Sequence, residues 1–245
     1  MPIQAIEPRR LYRQIADQLR GLVERGEYAV GTRLPPERDL ALQLGVSRPS
    51  VREALIALEV EGLVEVRMGS GIYVLAHDPK RVRRVSGEGP LETIRARQLI
   101  EAELAANAAR QMKKAQLAGL RNALALMQQE VDAGHLPTRG DRLFHERIAE
   151  ASENSVLQRI VAELFDERHN PLFEQLGNHF ETVRSWTIAI AEHQAIVDAI
   201  AAHAPEAARD AMNIHLTRSH DRFTANWPAK SDAAAARKTT RRRAA

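Results

Sequence analysis

Residues 33–74, RLPPERDLALQLGVSRPSVREALIALEVEGLVEVRMGSGIYV, carry the strongest fold signal of this 245-residue chain. A short helical pattern is followed by a turn at Gly45 and by a second helical pattern with Arg48 and Arg52 one turn apart. Two short β-runs joined by Gly-Ser-Gly come next. This order is typical of a winged helix-turn-helix, in which the second helix enters the major groove and the hairpin forms a wing. The stretch therefore predicts a module that binds double-stranded DNA.

The second helical pattern separates a buried side from an exposed one. Its apolar positions mark the buried side, and they are Val51, Leu55, Leu58 and Val60. Arg48 and Arg52 are then expected on the exposed side near the amino terminus, where recognition helices meet base edges. An arginine there can donate two hydrogen bonds to guanine and discriminate by roughly 1–3 kcal/mol. The alternative is that both arginines form surface ion pairs with Glu53 or other carboxylates.

Three more residues of this stretch are candidates for DNA contact. Ser47 is placed to cap the second helix, and Ser50 begins a Ser-x-x-Glu pattern that is also typical of helix starts. A purely structural role therefore stays open for both serines beside DNA contact. Arg38 lies on the preceding helix, where it is better suited to phosphate than to bases.

A pattern over about sixty residues resembles the DNA-binding domain of GntR-type bacterial regulators. It runs through Pro36-x-Arg38-x-Leu40-Ala41, Gly45-Val46-Ser47-Arg48-Pro49-x-Val51-Arg52-Glu53-Ala54-Leu55, Gly62-Leu63-Val64 and Gly69-Ser70-Gly71. The resemblance implies that the three arginines of the pattern contact the operator and that Gly69 forms the wing tip. Where the family often has His or Arg before that glycine, this chain has Met68, which leaves the adjacent Arg67 as the basic residue of the wing.

Composition predicts two domains without covalent crosslinks. A length of 245 residues allows a small domain and a larger one of about 140 residues that buries its own core. The absence of cysteine excludes disulfides, thiolate metal sites and cysteine nucleophiles. No apolar run approaches the roughly 20 residues needed to cross a bilayer, and no signal peptide opens the chain. We therefore expect a cytoplasmic protein that does not contact membranes.

The net charge differs along the chain. It is +3 over residues 1–85, −5 over residues 86–229 and +5 over residues 230–245. A basic first domain suits phosphate contact, whereas an acidic second domain does not indicate another nucleic-acid surface. The predicted segments are a DNA-binding domain at 1–75, a linker at 76–90, a second domain at 91–227 and a disordered basic tail at 228–245.

The second domain is predicted to be entirely helical. Apolar residues recur with helical spacing over 91–111, 115–132, 138–151, 155–169, 182–203 and 206–224, and no convincing alternating strand occurs. The overall fold class is therefore mainly α, with an amino-terminal winged helix-turn-helix and a carboxy-terminal bundle of six or seven helices.

Four side chains of this bundle suggest a metal site. Asp141 and His145 share one helical face, while His193 and His215 lie on the inward stripes of two later helices. Converging imidazole and carboxylate ligands suit a divalent ion, with zinc as our first expectation and nickel, manganese or iron as alternatives. The alternative interpretation is that the histidines are ordinary core residues and that Asp141 forms a surface pair.

The same residues resemble the ligand-sensing domain, called FCD, of the FadR-like subfamily of these regulators. The resemblance rests on Asp141-x-x-Phe144-His145, Glu192-His193-x-x-Ile196 and His215-Leu216, and it implies that the Asp and the three His hold the metal. Arg97 and Glu101 match the R-x-x-x-E of the first bundle helix, which implies that Arg97 binds a carboxylate of the effector. The alternative is an ion pair between Arg97 and Glu101.

Three segments resemble regulators of hexuronate catabolism more closely: ALIALEVEGLVEVRMGSGIYV, ARQLIEAELAANAA and ERHNPLFEQLGNHFETVRSW. This resemblance implies that Arg168 and Trp186 line the effector pocket. It also implies a homodimeric repressor that binds a palindromic operator and is released by a small organic acid, with an aldonate, lactate or a dicarboxylate as alternatives to a hexuronate. The other class considered is a metal-dependent enzyme, but no His-Glu-x-x-His or comparable carboxylate constellation accompanies the histidines, so no enzymatic activity is predicted.

Overall fold

A computed structural model of the chain describes residues 10–76, 85 and 87–225. The described residues form two compact units, one within residues 10–89 and one within residues 90–225. Both units are mainly helical, and within the described ranges the only paired strands belong to a hairpin of the first unit. The predicted fold class is confirmed.

The first unit is a winged helix-turn-helix. Its elements are α1 (Leu11–Glu24), α2 (Glu37–Leu44), α3 (Arg48–Val60), β1 (Val64–Arg67) and β2 (Gly71–Val74). The two strands are antiparallel, with Val64 opposite Val74 and Arg67 opposite Gly71. Gly69 lies in the turn between them with a φ of 70°, a left-handed conformation that favours glycine.

Local sequence explains both ends of the turn between α2 and α3. Gly45 ends α2 with a φ of 66°, as a residue in the left-handed conformation commonly does at a helix end. Ser47 caps α3, because its Oγ accepts a hydrogen bond from the backbone N of Ser50 at 3.3 Å. Ser50 lies inside the helix, so the Ser-x-x-Glu sequence that it begins does not start α3.

Part of the predicted linker packs against the first unit. The carbonyl oxygen of Gly87 accepts a hydrogen bond from the Tyr12 hydroxyl at 3.0 Å, and the backbone N of Val85 donates to Glu61 at 3.0 Å. Residues 77–84 and 86 of the predicted linker, and the whole predicted tail at 228–245, lie outside the described residues. The first helix of the second unit begins at Pro90, within the segment predicted as linker.

The second unit is a bundle of seven α-helices, in agreement with the predicted six or seven. They are α4 (Pro90–Gln111), α5 (Lys114–Asp132), α6 (Thr138–Glu150), α7 (Ser155–Asp166), α8 (Pro171–Phe180), α9 (Val183–Ala201) and α10 (Pro205–Thr224). Residues 155–169 were expected to be one helix, but the α-helix ends at Asp166 and a 3₁₀ turn covers Glu167–His169.

Helix α8 was not among the segments predicted from apolar spacing, although its start is encoded locally. The Asn170 side chain caps this helix by accepting a hydrogen bond from the backbone N of Leu172 at 2.8 Å. Pro171 occupies the first turn, where its missing N–H and fixed φ are tolerated.

The core of the bundle lies around α4, which packs mainly against α10, while α5 packs against α6 and α9. Alanines with almost no exposed surface on α4 allow close helix contact, and larger core side chains include Met127, Phe144, Phe165 and Leu216. None of the helices that the structure describes is both long enough and apolar enough to cross a membrane.

Candidate functional site

The candidate DNA-contacting residues of the first unit are mostly exposed. Arg38 on α2 and both Ser47 and Arg48 at the start of α3 are accessible, while Ser50 is half-buried. Arg67 and Gly69 are exposed on the hairpin. The Arg67 guanidinium also stacks over the Tyr73 ring at 4.4 Å, a cation–π contact that fixes its position on the wing.

The predicted exposure of Arg52 is wrong. Its side chain is only 1% exposed, and its Nη2 lies 2.8 Å from Oε2 of the buried Glu37 on α2. Every residue from 51 to 58 is buried, so α3 has no exposed side over this stretch. Burial lowers the pKa of Arg52, and the bond to Glu37 opposes that shift. Contact between Arg52 and DNA stays a prediction, and it requires the guanidinium to reach bases from this buried ion pair.

The second unit brings Asp141, His145, His193 and His215 together from three helices. Asp141 and His145 lie on α6, His193 on α9 and His215 on α10, and all four are buried. One donor atom of each lies within 4.8 Å of every other. The Nε2 of His193 is 3.3 Å from the Nε2 of His145 and 3.2 Å from Oδ1 of Asp141. The same Oδ1 atom is 3.7 Å from the Nε2 of His145.

These separations fit a divalent metal ion. Four ligands at about 2.0–2.1 Å in a tetrahedral arrangement are roughly 3.3–3.4 Å apart. The three distances among Asp141, His145 and His193 are close to this value, and the donor atom of His215 lies within 4.8 Å of each of them. The donor set of imidazole nitrogens and one carboxylate oxygen suits zinc and also nickel, manganese or iron. A buried cluster of Asp and His residues consistent with a metal site is therefore present, as predicted.

The outer nitrogen of each imidazole has a partner that orients the ring. Nδ1 of His193 lies 2.7 Å from the carbonyl oxygen of Ala189, and Nδ1 of His215 lies 2.9 Å from Oε2 of Glu192. Nδ1 of His145 lies against the Glu101 carboxylate. With a proton on Nδ1, each imidazole keeps the lone pair of Nε2 for a metal, and partners of the outer nitrogen are what orient histidines for metal binding.

Electrostatics keeps two of these imidazoles neutral at neutral pH. Burial lowers the pKa of His215 well below its ordinary value, and the rings of His193 and His145 lower it further. Burial also lowers the pKa of His193. At Asp141 the effect of burial is outweighed by the neighbouring His145 and His193 side chains and by the Arg168 guanidinium, which hold the pKa of that carboxyl well below its usual range. The carboxylate and two imidazoles are thus in the protonation states that a metal requires.

Arg97 forms the ion pair with Glu101 that was the alternative to an effector-binding role. Its Nε lies 2.7 Å from Oε1 of Glu101, and both side chains are buried. Arg97 and His145 outweigh burial and lower the pKa of Glu101 to about 2. Arg97 also stacks on the Phe165 ring and forms part of a cavity wall beside the metal cluster. Its binding of an effector carboxylate stays a prediction.

The cavity beside the cluster is small and rich in charge. Its volume is about 20 Å³, which is room for one water molecule. The wall includes Arg97, Arg168 and Trp186, the three residues predicted to bind the effector. Four further polar residues of this wall were not predicted from the sequence, and they are Glu181, Ser185, Ser219 and Arg222.

Arg168 connects the cavity to the metal cluster. Its Nη1 lies 3.3 Å from Oδ2 of Asp141, and its Nη2 lies 2.9 Å from Oε1 of Glu181. The guanidinium also lies 5.6 Å from the centre of the Trp186 ring. Arg168 therefore balances the charge of the carboxylate whose other oxygen faces the histidines.

Gly140 places the first turn of α6 against α5. A Cβ at this position would lie 2.6 Å from the backbone N of Met127, a distance that real Cβ atoms do not adopt. The backbone N of Gly140 also donates to Oε2 of Glu130 on α5 at 2.9 Å. Asp141 follows directly, so this close contact between helices positions a member of the metal cluster.

Comparison with known proteins gives the same two units. Residues 11–74 match the family described as bacterial regulatory proteins, gntR family, and residues 92–218 match the FCD domain. The Exu regulon transcriptional regulator of Escherichia coli K12 is 39% identical over 224 residues, covering 87% of this chain and 84% of that protein. The Uxu operon transcriptional regulator of the same strain is 37% identical over 228 residues, covering 89% of each.

A third relative is the Uxu operon regulator of Haemophilus influenzae Rd, which is 34% identical over 212 residues, covering 84% of this chain and 79% of that protein. All three relatives are transcription regulators and not enzymes. Since the two domain matches cover both units and the alignments span most of each relative, the chain belongs to the GntR family of bacterial regulatory proteins and carries an FCD domain.

Proposed function

We propose that this regulator is a homodimeric repressor of genes for hexuronate catabolism, and that a hexuronate bound at the metal site releases it from a palindromic operator. The observation that carries this proposal is the position of the metal cluster, which shares Asp141 and His215 with the wall of a cavity lined by three arginines. A small carboxylate is the ligand that such a wall favours. Identity to the Exu and Uxu regulators supports a hexuronate among the possible acids.

Asp141, His145, His193 and His215 would hold the ion, which we propose to be zinc. When bound, a divalent ion supplies positive charge that attracts a carboxylate oxygen and a neighbouring hydroxyl of the effector. The enzyme alternative lacks support, because Glu192 and Glu101 are both occupied as partners of the outer histidine nitrogens and so are not free to serve as a general base.

The cavity wall offers complementary groups for the rest of a sugar acid. Arg168 can donate two parallel hydrogen bonds to a carboxylate, and Ser219 offers a hydroxyl to the sugar. The buried Nε1 of Trp186 has no hydrogen-bond partner among the described residues, so it is a donor that a ligand oxygen can satisfy. A lipid chain or a neutral sugar offers no negative charge to the arginines of this wall.

Release from DNA requires that the effector prefer one arrangement of the bundle over another. The cavity of about 20 Å³ cannot hold a hexuronate, so binding must enlarge it. We propose that the enlarged arrangement has lower affinity for the operator. A hundredfold loss of affinity corresponds to about 2.7 kcal/mol of coupling, which a carboxylate clamp and metal coordination together can supply.

A gel-shift titration with the zinc-loaded protein tests the effector class. We expect galacturonate, glucuronate or a close catabolic product to release operator DNA, whereas galactose should not, because it lacks the carboxylate that Arg168 and the metal recognise. Release by gluconate, lactate or a dicarboxylate and by no hexuronate would leave the regulator intact and overturn the hexuronate proposal.

The variant Arg97→Lys tests the carboxylate clamp in the same assay. Lysine keeps the charge next to Glu101 but cannot reproduce the two-point geometry of the guanidinium. We expect unchanged operator affinity and at least about tenfold more acid for release, since a hydrogen bond to a charged group contributes about 1.5–3 kcal/mol. Metal content serves as the control, because Glu101 also contacts His145. A wild-type acid response in this variant would contradict a role for Arg97 in effector binding.

A further inference from the structure

Glu181 is a carboxylate of the protein that already lies in the cavity where an acidic effector would bind. It stands directly after α8, between Phe180 and the Thr182 cap of α9. Its Oε1 accepts the hydrogen bond from Nη2 of Arg168 at 2.9 Å, and both side chains are about 15% exposed. Arg168, the cation that an effector carboxylate would meet on this side of the cavity, is thus already paired with Glu181.

The backbone around Glu181 forms a seat for this carboxylate. A Cβ on Gly177, one turn earlier on α8, would lie 3.2 Å from Oε2 of Glu181, so the absence of a side chain there makes room for the second oxygen. The backbone N of Glu181 donates to the carbonyl oxygen of Gly177 at 2.7 Å. Gly177 therefore leaves room for the carboxylate, and Arg168 holds it by a hydrogen bond.

Space for an alternative position of Glu181 exists on its outer side. Arg168 and Glu181 line both the small cavity and a groove of about 420 Å³ that runs along α8. The groove wall also contains Gly177 and Asn178. A rotation of the Glu181 side chain toward this groove would expose the carboxylate to solvent and leave the Nη2 of Arg168 facing the cavity.

From this geometry we infer that Glu181 is an internal competitor for the effector carboxylate, and that its displacement from Arg168 sets effector affinity. The inference rests on the proposed function and adds to it a residue that determines affinity and specificity. Because an effector must replace an existing charged hydrogen bond, only a ligand with its own carboxylate recovers that interaction. A neutral sugar would have to leave Arg168 with Glu181.

The variant Glu181→Gln tests the inference in the full, zinc-loaded chain. Glutamine keeps the size of the side chain but removes the charge that competes for Arg168. Titration calorimetry with galacturonate should give a dissociation constant at least about tenfold lower than that of the wild type, a change of about 1.4 kcal/mol. Galactose should not bind better than before. The matched control is Glu174→Gln, an exposed residue of α8 in the groove wall, which should leave the dissociation constant unchanged.

A double-mutant cycle with Arg168→Gln separates competition from simple repulsion. If Glu181 acts through Arg168, the gain from Glu181→Gln disappears when Arg168 is absent. A gain that persists would show that Glu181 only repels the acid from a distance. Unchanged binding by Glu181→Gln would show that Glu181 does not compete, and weaker binding would show that it helps to hold the effector. Any of these results overturns the inference and leaves the proposed function standing. Failure of every acid to bind the zinc-loaded wild type would remove both.

Discussion

If Asp141, His145, His193 and His215 hold a metal ion as proposed, its chelation is expected to lower the melting temperature of the protein by roughly 10 °C. An ion that binds the folded state at about a thousand times its dissociation constant stabilises it by about 4 kcal/mol. For a chain of this size, each kcal/mol corresponds to roughly 2–4 °C. The donors come from α6, α9 and α10, so loss of the ion removes a link between three helices and leaves four buried polar groups facing one another.

Elemental analysis combined with thermal unfolding checks this expectation. Purified protein should contain close to one divalent ion per chain, and zinc should restore the melting temperature after chelation. His215→Ala should lower the metal content, whereas His135→Ala and His203→Ala should not, because both of these histidines are exposed and outside the cluster. A metal-free wild type that melts equally with and without chelator, and still responds fully to the acid, would remove the metal from the mechanism.

Loss of the Arg48 side chain is expected to abolish most of the preference for the operator over unrelated DNA. A bidentate contact to guanine discriminates by about 1–3 kcal/mol, and a symmetric dimer would lose one such contact in each half-site. The expected loss of specificity is therefore roughly thirtyfold to more than ten-thousandfold. Arg48 suits this test, because it is half exposed and its Nε lies 3.8 Å from Glu37, so its removal does not bury an unpaired charge.

Competition gel shifts with operator and random duplexes measure the effect. Arg38→Ala is the comparison: it should weaken binding to all sequences similarly and make the salt dependence shallower, as loss of a phosphate contact does. If Arg48→Ala ranked operator variants as the wild type does, the amino-terminal end of α3 would not be the surface that reads DNA.

Arg52→Ala requires a different interpretation from Arg48→Ala. The buried Glu37 carboxylate would lose its ion pair, and breaking a buried pair from one side costs about 3–5 kcal/mol. Loss of DNA binding by this variant would therefore not distinguish a missing base contact from an unfolded first unit.

The features that were predictable from sequence depend on neighbouring residues. The left-handed Gly45, the Ser47 cap and the hairpin glycines each act within a few positions, so the winged helix-turn-helix could be predicted with its element order. The exposure of Arg52 could not, because its partner Glu37 lies 15 residues earlier on another helix. Helical periodicity predicts one buried side, but it does not show that neighbouring elements cover α3 on all sides.

The metal cluster also combines features that were predictable from local spacing with a contact between helices that was not. Its four members could be proposed because each lies on the inward stripe of its own helix. Glu192, by contrast, directly precedes His193 on the same helix, so helical spacing predicts that its side chain points away from the cluster. Its side chain does point away, but it reaches His215, which is 23 residues later on α10. Contacts between helices of this kind have no spacing that a single sequence reveals.

The contact at Gly140 also limits how this sequence can vary. Any other residue would place a Cβ against the backbone of α5, which cannot rotate away as a side chain can, so α6 would have to shift. Because Asp141 is the next residue, a shift of a few tenths of an ångström would reach the cluster, where donor distances matter on that scale. In a library randomised at this one codon, we expect only glycine to survive selection for an acid-responsive regulator, although the residue itself contacts neither metal nor DNA.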